Sequence, residues 1–488
     1  MSKRNPWVFI PTLYFAEGLP YTIVMMMSAI YLKDLGASNE LIGLTSLLAW
    51  PWTLKFVWAP LVDFFGFKKD WVVVAQLVLA FMLGILAVTT ISPWPVQAAL
   101  ALFAISALAS ATHDVAIDAY YLEALPKDMQ ALFVGVRNTA YRLAWLFGSG
   151  GMVVLAGALQ ASYGKYNAWM ISFMILSVIL FVLSAFHKFY LPRNDSRLEA
   201  GASPVALSGA QAKEALAING AALAARSSST TGLSGSTPGV GGTTDSTGGP
   251  VGPSEPAVPN PPELGNVHPE APGESFMSRY GHAIISYFHQ PGALAIVCYI
   301  LLFRLGDALM LKLASPFLLD SVEKGGMGMS VQDVGIVYGT VGVIFLLLGG
   351  ILGGWLISKG GVKKWLWPTA IFQNAAILLY WLLALLHPSQ TWVYVVNSIE
   401  QFAYGLGCAA YTVFMLQTVK QQYKAAHYAV ATGMMAAGVM IPGAFSGYIQ
   451  ASLGYTNFFL LSFFAAIPGI IAIFFLPIWK EEASPKAA

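Results

Sequence analysis

The chain is built from long, unbroken apolar runs, and their length decides what it can become. A helix needs roughly 20 mostly apolar residues to cross a hydrocarbon core. On that basis the sequence predicts spans near 7–32, 39–64, 71–91, 95–122, 131–160 and 166–190. After a break, further spans follow near 291–320, 330–357, 365–386, 391–418, 426–451 and 456–478. Runs of this kind exclude a β-barrel, whose strands show short alternating segments. Composition points to the same solvent: 57% of the 488 residues are hydrophobic and 10% charged, where soluble domains carry roughly 25% charged residues. The expected fold class is therefore an all-α membrane protein with twelve transmembrane helices. The first run, from Trp7 to Leu32, has the length of a span rather than of a cleavable signal peptide.

Charge placement supplies an orientation. If the N-terminus is cytoplasmic, only Lys33, Lys165 and Lys324 of the 26 Lys and Arg face the opposite side. Lys55, Arg137, Arg142, Arg304 and Lys312 fall within spans, and the remainder are cytoplasmic. Basic residues collect in cytoplasmic loops, so both termini are expected inside. The formal net charge of +2 gives no reason to expect nucleic acid as a partner. Cys298 and Cys408 lie in apolar runs, without the spacing of a disulfide framework or a metal site.

Residues 192–275 are a different material, rich in Gly, Ser, Thr and Pro and almost free of aromatics. Such a segment cannot bury enough apolar surface to offset its ordering entropy, so a disordered cytoplasmic linker is expected there. Its start, Ala210 to Ala225, has some helical character, and 276–289 has the pattern of a short amphipathic helix. The linker divides the chain into a six-span lobe, 1–191, and a second, 276–488.

The two halves repeat each other. PLVDFFGFKKDW at 60–71 aligns with WLISKGGVKKW at 355–365 at an offset of 295 residues, pairing Gly66 with Gly361, Lys68 with Lys363 and Lys69 with Lys364. Two parallel six-span repeats related by an axis along the membrane normal describe the two lobes of the major facilitator fold. The first copy also resembles that superfamily's loop between spans two and three, G-x-L-x-D-x-x-G-R-K. Leu61, Asp63, Gly66, Lys68 and Lys69 match it, while Pro60 and Phe67 depart from it. Asp63, Lys68 and Lys69 are expected to latch a cytoplasmic gate rather than to touch substrate.

Charges inside spans are costly, so they usually pair or line a cavity. Glu17 precedes Gly18-Leu19-Pro20, which should loosen the first helix near its middle; Pro442-Gly443 should do the same in the eleventh. Glu17 is either a paired structural carboxylate or a protonatable group at a cavity. Asp114 and Asp118, spaced i, i+4, share one face of the fourth span. Arg137 and Arg142 in the fifth span lie at matching depths, which permits two Asp–Arg pairs. These are either fixed ion pairs or pairs that break and reform during transport. At the 295 offset Asp114, Asp118, Arg137 and Arg142 fall on Ala409, Val413, Thr432 and Ala437, and Lys55 falls on Gly350. The first lobe therefore carries a specialised polar site, with Lys55, Arg137 and Arg142 as candidate anion anchors.

The second lobe contributes Arg304, Asp307, Lys312 and Glu400. Trp50, Trp52, Trp58, Tyr120, Tyr121, Tyr141 and Trp145 accompany the charges; they suit sugar rings at a cavity and equally suit lipid-interface anchoring. His113 is either a packed residue or a proton relay beside Asp114. There is no Walker loop, metal cluster or nucleophile elbow. No enzyme activity and no cofactor is therefore expected, and an ion gradient or the solute's own gradient must supply the energy. The membrane carboxylates Glu17, Asp114 and Asp118 make protons the expected coupling ion.

At these residues the chain resembles the AmpG-type muropeptide permeases of the major facilitator superfamily. The resemblance rests on FAEGLPYT, KFVWAPLVDFFG, S-A-x-x-D-x-x-x-D-A-Y and Tyr141-Arg142-Leu143 in the first lobe. FRLGDALM and IEQFAYGLGCAAYTVF carry it in the second. Thr112-His113 departs from the family's usual flank, and the linker is long for it. The resemblance implies proton-driven import of anhydro-muropeptides across the bacterial inner membrane for cell-wall recycling, by a chain sufficient as a monomer. It implies site residues at Lys55, Asp114, Asp118, Tyr141, Arg142, Arg304, Asp307 and Glu400, to which Trp52, Tyr120 and Arg137 are added as substrate candidates. A carrier of another anionic solute, such as acetyl-coenzyme A, is the alternative.

Overall fold

The structure is a computed structural model of the chain and describes residues 4–64, 66–125, 127–192, 282, 284–420 and 424–479. The expected linker lies outside the described residues from 193 onward, as does the first part of the segment 276–289.

Every described element is helical. Helix α1 (Pro6–Asp34) starts with Pro6 in its first turn and with the Asn5 side chain accepting from the Trp7 N–H at 3.0 Å, which satisfies an otherwise orphaned donor. Helix α2 (39–64) alternates α-helical and 3-10 turns and is capped by Ser38. Then come α3 (Lys68–Thr89), α4 (Pro95–Ala124), α5 (127–163) and α6 (Lys165–Tyr190). The second lobe runs through α7 (Ala293–Leu319), α8 (331–360), α9 (362–386), α10 (Gln390–Gln417), α11 (424–453) and α12 (455–479). Twelve helices result among the described residues, with the merged runs divided at Gly361 and Gly454.

Corresponding glycines make corresponding turns. Gly66 between α2 and α3 has φ 69° and Gly361 between α8 and α9 has φ 73°, a left-handed conformation that costs a residue without a Cβ little. Gly164 joins α5 to α6 at φ 75°, ψ 163°, and Gly454 joins α11 to α12 at φ 72°, ψ 168°. The second pair is 290 positions apart, not 295. The offset between the repeats therefore shortens somewhere between these two turns.

The helices between the lobes are the irregular ones. Past Pro20, α1 widens into a π-turn at Ile23–Met27; α5 does so at Leu146–Met152 and α8 at Gly335–Val341. Helix α7 breaks at Phe303 and Arg304, between the segments Ala293–Leu302 and Leu305–Leu319. The α8 π-turn is held by Asn397 of α10, whose amide donates to the Val337 carbonyl at 2.8 Å. The break expected at Pro442-Gly443 does not occur; α11 stays helical there. Gly443 instead admits Ser46 of α2, and Gly447 one turn on lies against the backbone of Asn39. These positions lack Cβ atoms because two helices from different lobes approach there.

The buried core is wedge-shaped. In the half distal to the termini, one apolar cluster joins both lobes, with Tyr31, Phe103 and Trp169 on one side and Phe317, Tyr380 and Phe459 on the other. Toward the termini it separates into a cluster around Phe9, Tyr120 and Phe133 and another around Tyr299, Tyr411 and Phe414. The cross-lobe contacts Asn39–Gln450, Asn39–Tyr455, Lys312–Thr45 and Lys33–Asp320 also lie in the distal half.

Candidate functional site

Helix periodicity places the first-lobe charges. Asp118 on α4 accepts from the Tyr14 hydroxyl of α1 at 3.1 Å and pairs with Arg137 Nη2 of α5 at 3.4 Å. The Arg137 guanidinium lies beside the Tyr14 and Tyr121 rings, 4.6 and 5.2 Å from their centroids. One turn deeper, Asp114 accepts from Lys55 Nζ at 3.3 Å, and both side chains are almost fully buried. Of the two Asp–Arg pairs that depth allows, Asp118–Arg137 thus forms, while Asp114 takes a lysine from α2. Depth is set by counting residues, but rotation about the helix axis decides which cation arrives.

Arg142 stands apart from these pairs, its guanidinium 4.9 Å from the Trp145 ring. Around it is an aromatic group. Tyr21 of α1 lies edge-on to Trp52 at 5.0 Å, stacks on Trp145 at 6.0 Å and tilts against Tyr141 at 6.3 Å. Gly18 makes this possible: a Cβ there would sit 3.0 Å from the Tyr141 ring and from Ala144. Arg142 is also within electrostatic range of Tyr404 and Cys408 on α10.

The second lobe presents a matching set. At the α7 break, Arg304 Nε lies 3.5 Å from Asp307 Oδ2 in the next turn, and its Nη2 donates to the Tyr404 hydroxyl. Gln373 of α9 donates to Asp307. Glu400 of α10 accepts from Gln401 at 2.8 Å and is within electrostatic range of Asp307, Tyr338 and Tyr380.

Several candidates are not brought to this group. The Tyr120 hydroxyl donates to the Pro192 carbonyl at 3.1 Å while its ring packs against Phe9, which is core packing. Lys68 and Lys69 donate to the carbonyls of Val62 and Leu191 at 2.8 and 2.6 Å, both within their own lobe. The Asp63 side chain lies outside the described residues. Glu17 is fully buried in α1. His113 turns away from Asp114, as adjacent helical residues must; it is buried, and neither ring nitrogen has a hydrogen-bond partner among the described residues.

Reading the sequence passed over Tyr14, Tyr21, Tyr404 and Gln373. Tyr14 and Tyr21 flank Glu17 in the first span, and Tyr404 lies one turn after Glu400, a spacing that would have singled it out. At the distal end it also passed over a network of Lys33, Asn39, Asp320, Gln450 and Tyr455. Lys33 and Asp320 pair at 2.6 Å, and Asn39 donates to Gln450 at 2.6 Å and to the Tyr455 hydroxyl at 2.8 Å.

The profile of the Major Facilitator Superfamily matches residues 12–445. The chain is 23% identical over 467 residues to the anhydromuropeptide permease of Escherichia coli strain K12, covering 94% of this chain and 77% of that protein. It is 21% identical over 472 residues to the putative transporter AmpG 4 of Rickettsia conorii, covering 94% of each. Among solved structures, the nucleoside transporter NupG superposes with a TM-score of 0.62 at 14% identity, over 98% of this chain and all of that one, 100%. A bacterial homologue of the human lysosomal transporter Spinster, in an inward-facing and unoccupied conformation, gives 0.58 at 13% identity, over 97% and 94%. These structural likenesses speak to the fold alone.

Proposed function

Because the chain belongs to the major facilitator superfamily, we propose that this transporter imports anhydro-muropeptides, GlcNAc-anhydroMurNAc peptides, across the bacterial inner membrane by proton-driven alternating access. The solute then enters peptidoglycan recycling in the cytoplasm. Relatives named as anhydromuropeptide permease and AmpG support the solute class. The observation that carries the reading is Arg142 set among the aromatic rings of Tyr21, Tyr141 and Trp145. A ligand of two sugar rings and an acidic peptide needs aromatic faces and a cation in one place. The indole N–H of Trp52 adds a donor without an acceptor among the described residues.

Proton coupling is assigned to Glu17, Asp114 and Asp118. Protonating Asp118 removes the charge that holds Arg137 and Tyr14, which frees α5 to move relative to α1 and α4. Protonating Asp114 loosens α2 through Lys55 in the same way. The wedge opens toward the termini, which the Lys and Arg bias puts in the cytoplasm, so the present state is the one that releases solute inward.

Uptake of labelled anhydro-disaccharide peptide into vesicles containing the purified protein tests the reading. Accumulation that requires an inward proton gradient, and that acetyl-coenzyme A does not compete away, is the expected result. Folded, inserted protein that accumulates no glycopeptide would overturn it.

A further inference from the structure

The five cations inside the spans divide into two kinds. Lys55, Arg137 and Arg304 each have a carboxylate of their own lobe: Asp114, Asp118 and Asp307. Among the described residues Arg142 and Lys312 have no ion pair. Arg142 on α5 lies within electrostatic range of Tyr404 and Cys408 of the other lobe. Lys312 on α7 donates to the Thr45 hydroxyl of α2 at 2.7 Å, an uncharged partner. Both side chains are half-buried. A half-buried ammonium or guanidinium at membrane depth with only neutral protein partners is under-compensated, and an anion entering the cavity completes its partners.

Resting on the muropeptide reading, we propose that Lys312 is a second anion anchor, and that it and Arg142 form a two-lobe clamp for the carboxylates of the solute's peptide. Arg304, whose Nη2 donates to Tyr404 of α10, gives the scale: Lys312 lies eight residues further along α7, about 12 Å at 1.5 Å per residue. An extended peptide spans that distance in about three to four residues. The clamp therefore selects an acidic peptide with separated carboxylates, and a single small carboxylate cannot reach both cations. Because the anchors belong to different lobes, the bound solute ties the lobes together, which its neutral analogue does not.

The test compares binding of the anhydro-disaccharide tetrapeptide with its fully amidated counterpart, using purified full-length protein. Wild type should prefer the free acid by more than tenfold. Lys312→Gln should erase that preference while leaving affinity for the amidated peptide within a factor of two or three, and Lys312→Arg should keep it. If Lys312 only latches α7 to α2, Lys312→Gln changes both affinities equally, which overturns the assignment. So does an unchanged preference. A readout independent of the solute is labelling by trinitrobenzenesulfonate, an anionic amine reagent, mapped by mass spectrometry. Lys312 should react, and its failure to react would sink the anchor whatever the solute is. Failure of the wild type to bind either peptide, with Lys312 reactive, overturns the muropeptide reading and leaves the anion anchor standing.

Discussion

Lys33 at the end of α1 lies 2.6 Å from Asp320 at the end of α7, and this ion pair joins the first lobe to the second. Asn39, Gln450 and Tyr455 complete the junction, the Tyr455 hydroxyl also donating to Asp320 at 2.6 Å. Replacing Asp320 by Asn should lose about 1.5–3 kcal/mol of the distal closure, the range for hydrogen bonds to a charged group. That shifts the closed-to-open ratio by about tenfold or more. Distances between spin labels on α1 and α7 near this end should lengthen, and the swap Lys33→Asp with Asp320→Lys should restore part of the closure. Unchanged distances in Asp320→Asn would dismiss the pair as a latch.

Gly447 is pressed against the backbone of Asn39, and Gly339 of α8 against that of Ser149 in α5. A side chain at either position cannot be accommodated by a rotamer change, because the obstacle is main chain. Gly447→Val should leave each lobe folded yet hold the distal halves apart. Helical content by circular dichroism should stay near wild type while uptake falls at least tenfold. Wild-type uptake would show that this approach is not needed for transport.

Asp118 is the hub of three helices, so its neutralisation acts on stability and transport together. Asp118→Asn leaves Arg137 without its ion-pair partner, at a cost of about 3–5 kcal/mol for breaking a buried pair. Asp118→Asn with Arg137→Gln should recover most of that loss in a thermal unfolding assay, with uptake still absent. If the double variant is no more stable than the single, the Arg137 interaction is not what Asp118 contributes.

Lys55 and Asp114 offer the complementary case. Replacing both by Met and Leu should be nearly neutral or mildly stabilising, since desolvation offsets most of the attraction of a fully buried pair. Gradient-driven uptake should nevertheless be lost. A variant that is stable and transports normally would remove Asp114 from the coupling residues.

Much of the architecture is legible in the sequence. Span length and apolarity are local properties, and the lipid solvent forces every backbone polar group into a helix, so counting residues suffices. Gly66 and Gly361 marked the repeat because a tight turn demands the same backbone conformation wherever it recurs. The candidate site was legible by residue type and depth: Asp118 and Arg137 do meet, as do Arg304 and Asp307. Tyr120 went astray because an amphipathic ring looks the same in a sequence whether it lines a cavity or fills a core. Pro442-Gly443 misled for a related reason: a Gly beside a Pro marks a weak point in a helix but equally a place of close approach.

Twelve spans, two parallel lobes and a set of ionisable groups at membrane depth thus follow from the amino acids in order, since each depends on a window of neighbours. Which carboxylate neutralises which cation does not, nor does the distal junction of Lys33, Asp320 and Asn39. Those contacts link residues as many as 416 positions apart, as between Asn39 and Tyr455. They depend on the rotation of each helix about its axis and the tilt of one lobe against the other. Packing across the whole bundle sets both quantities, and no single segment contains them.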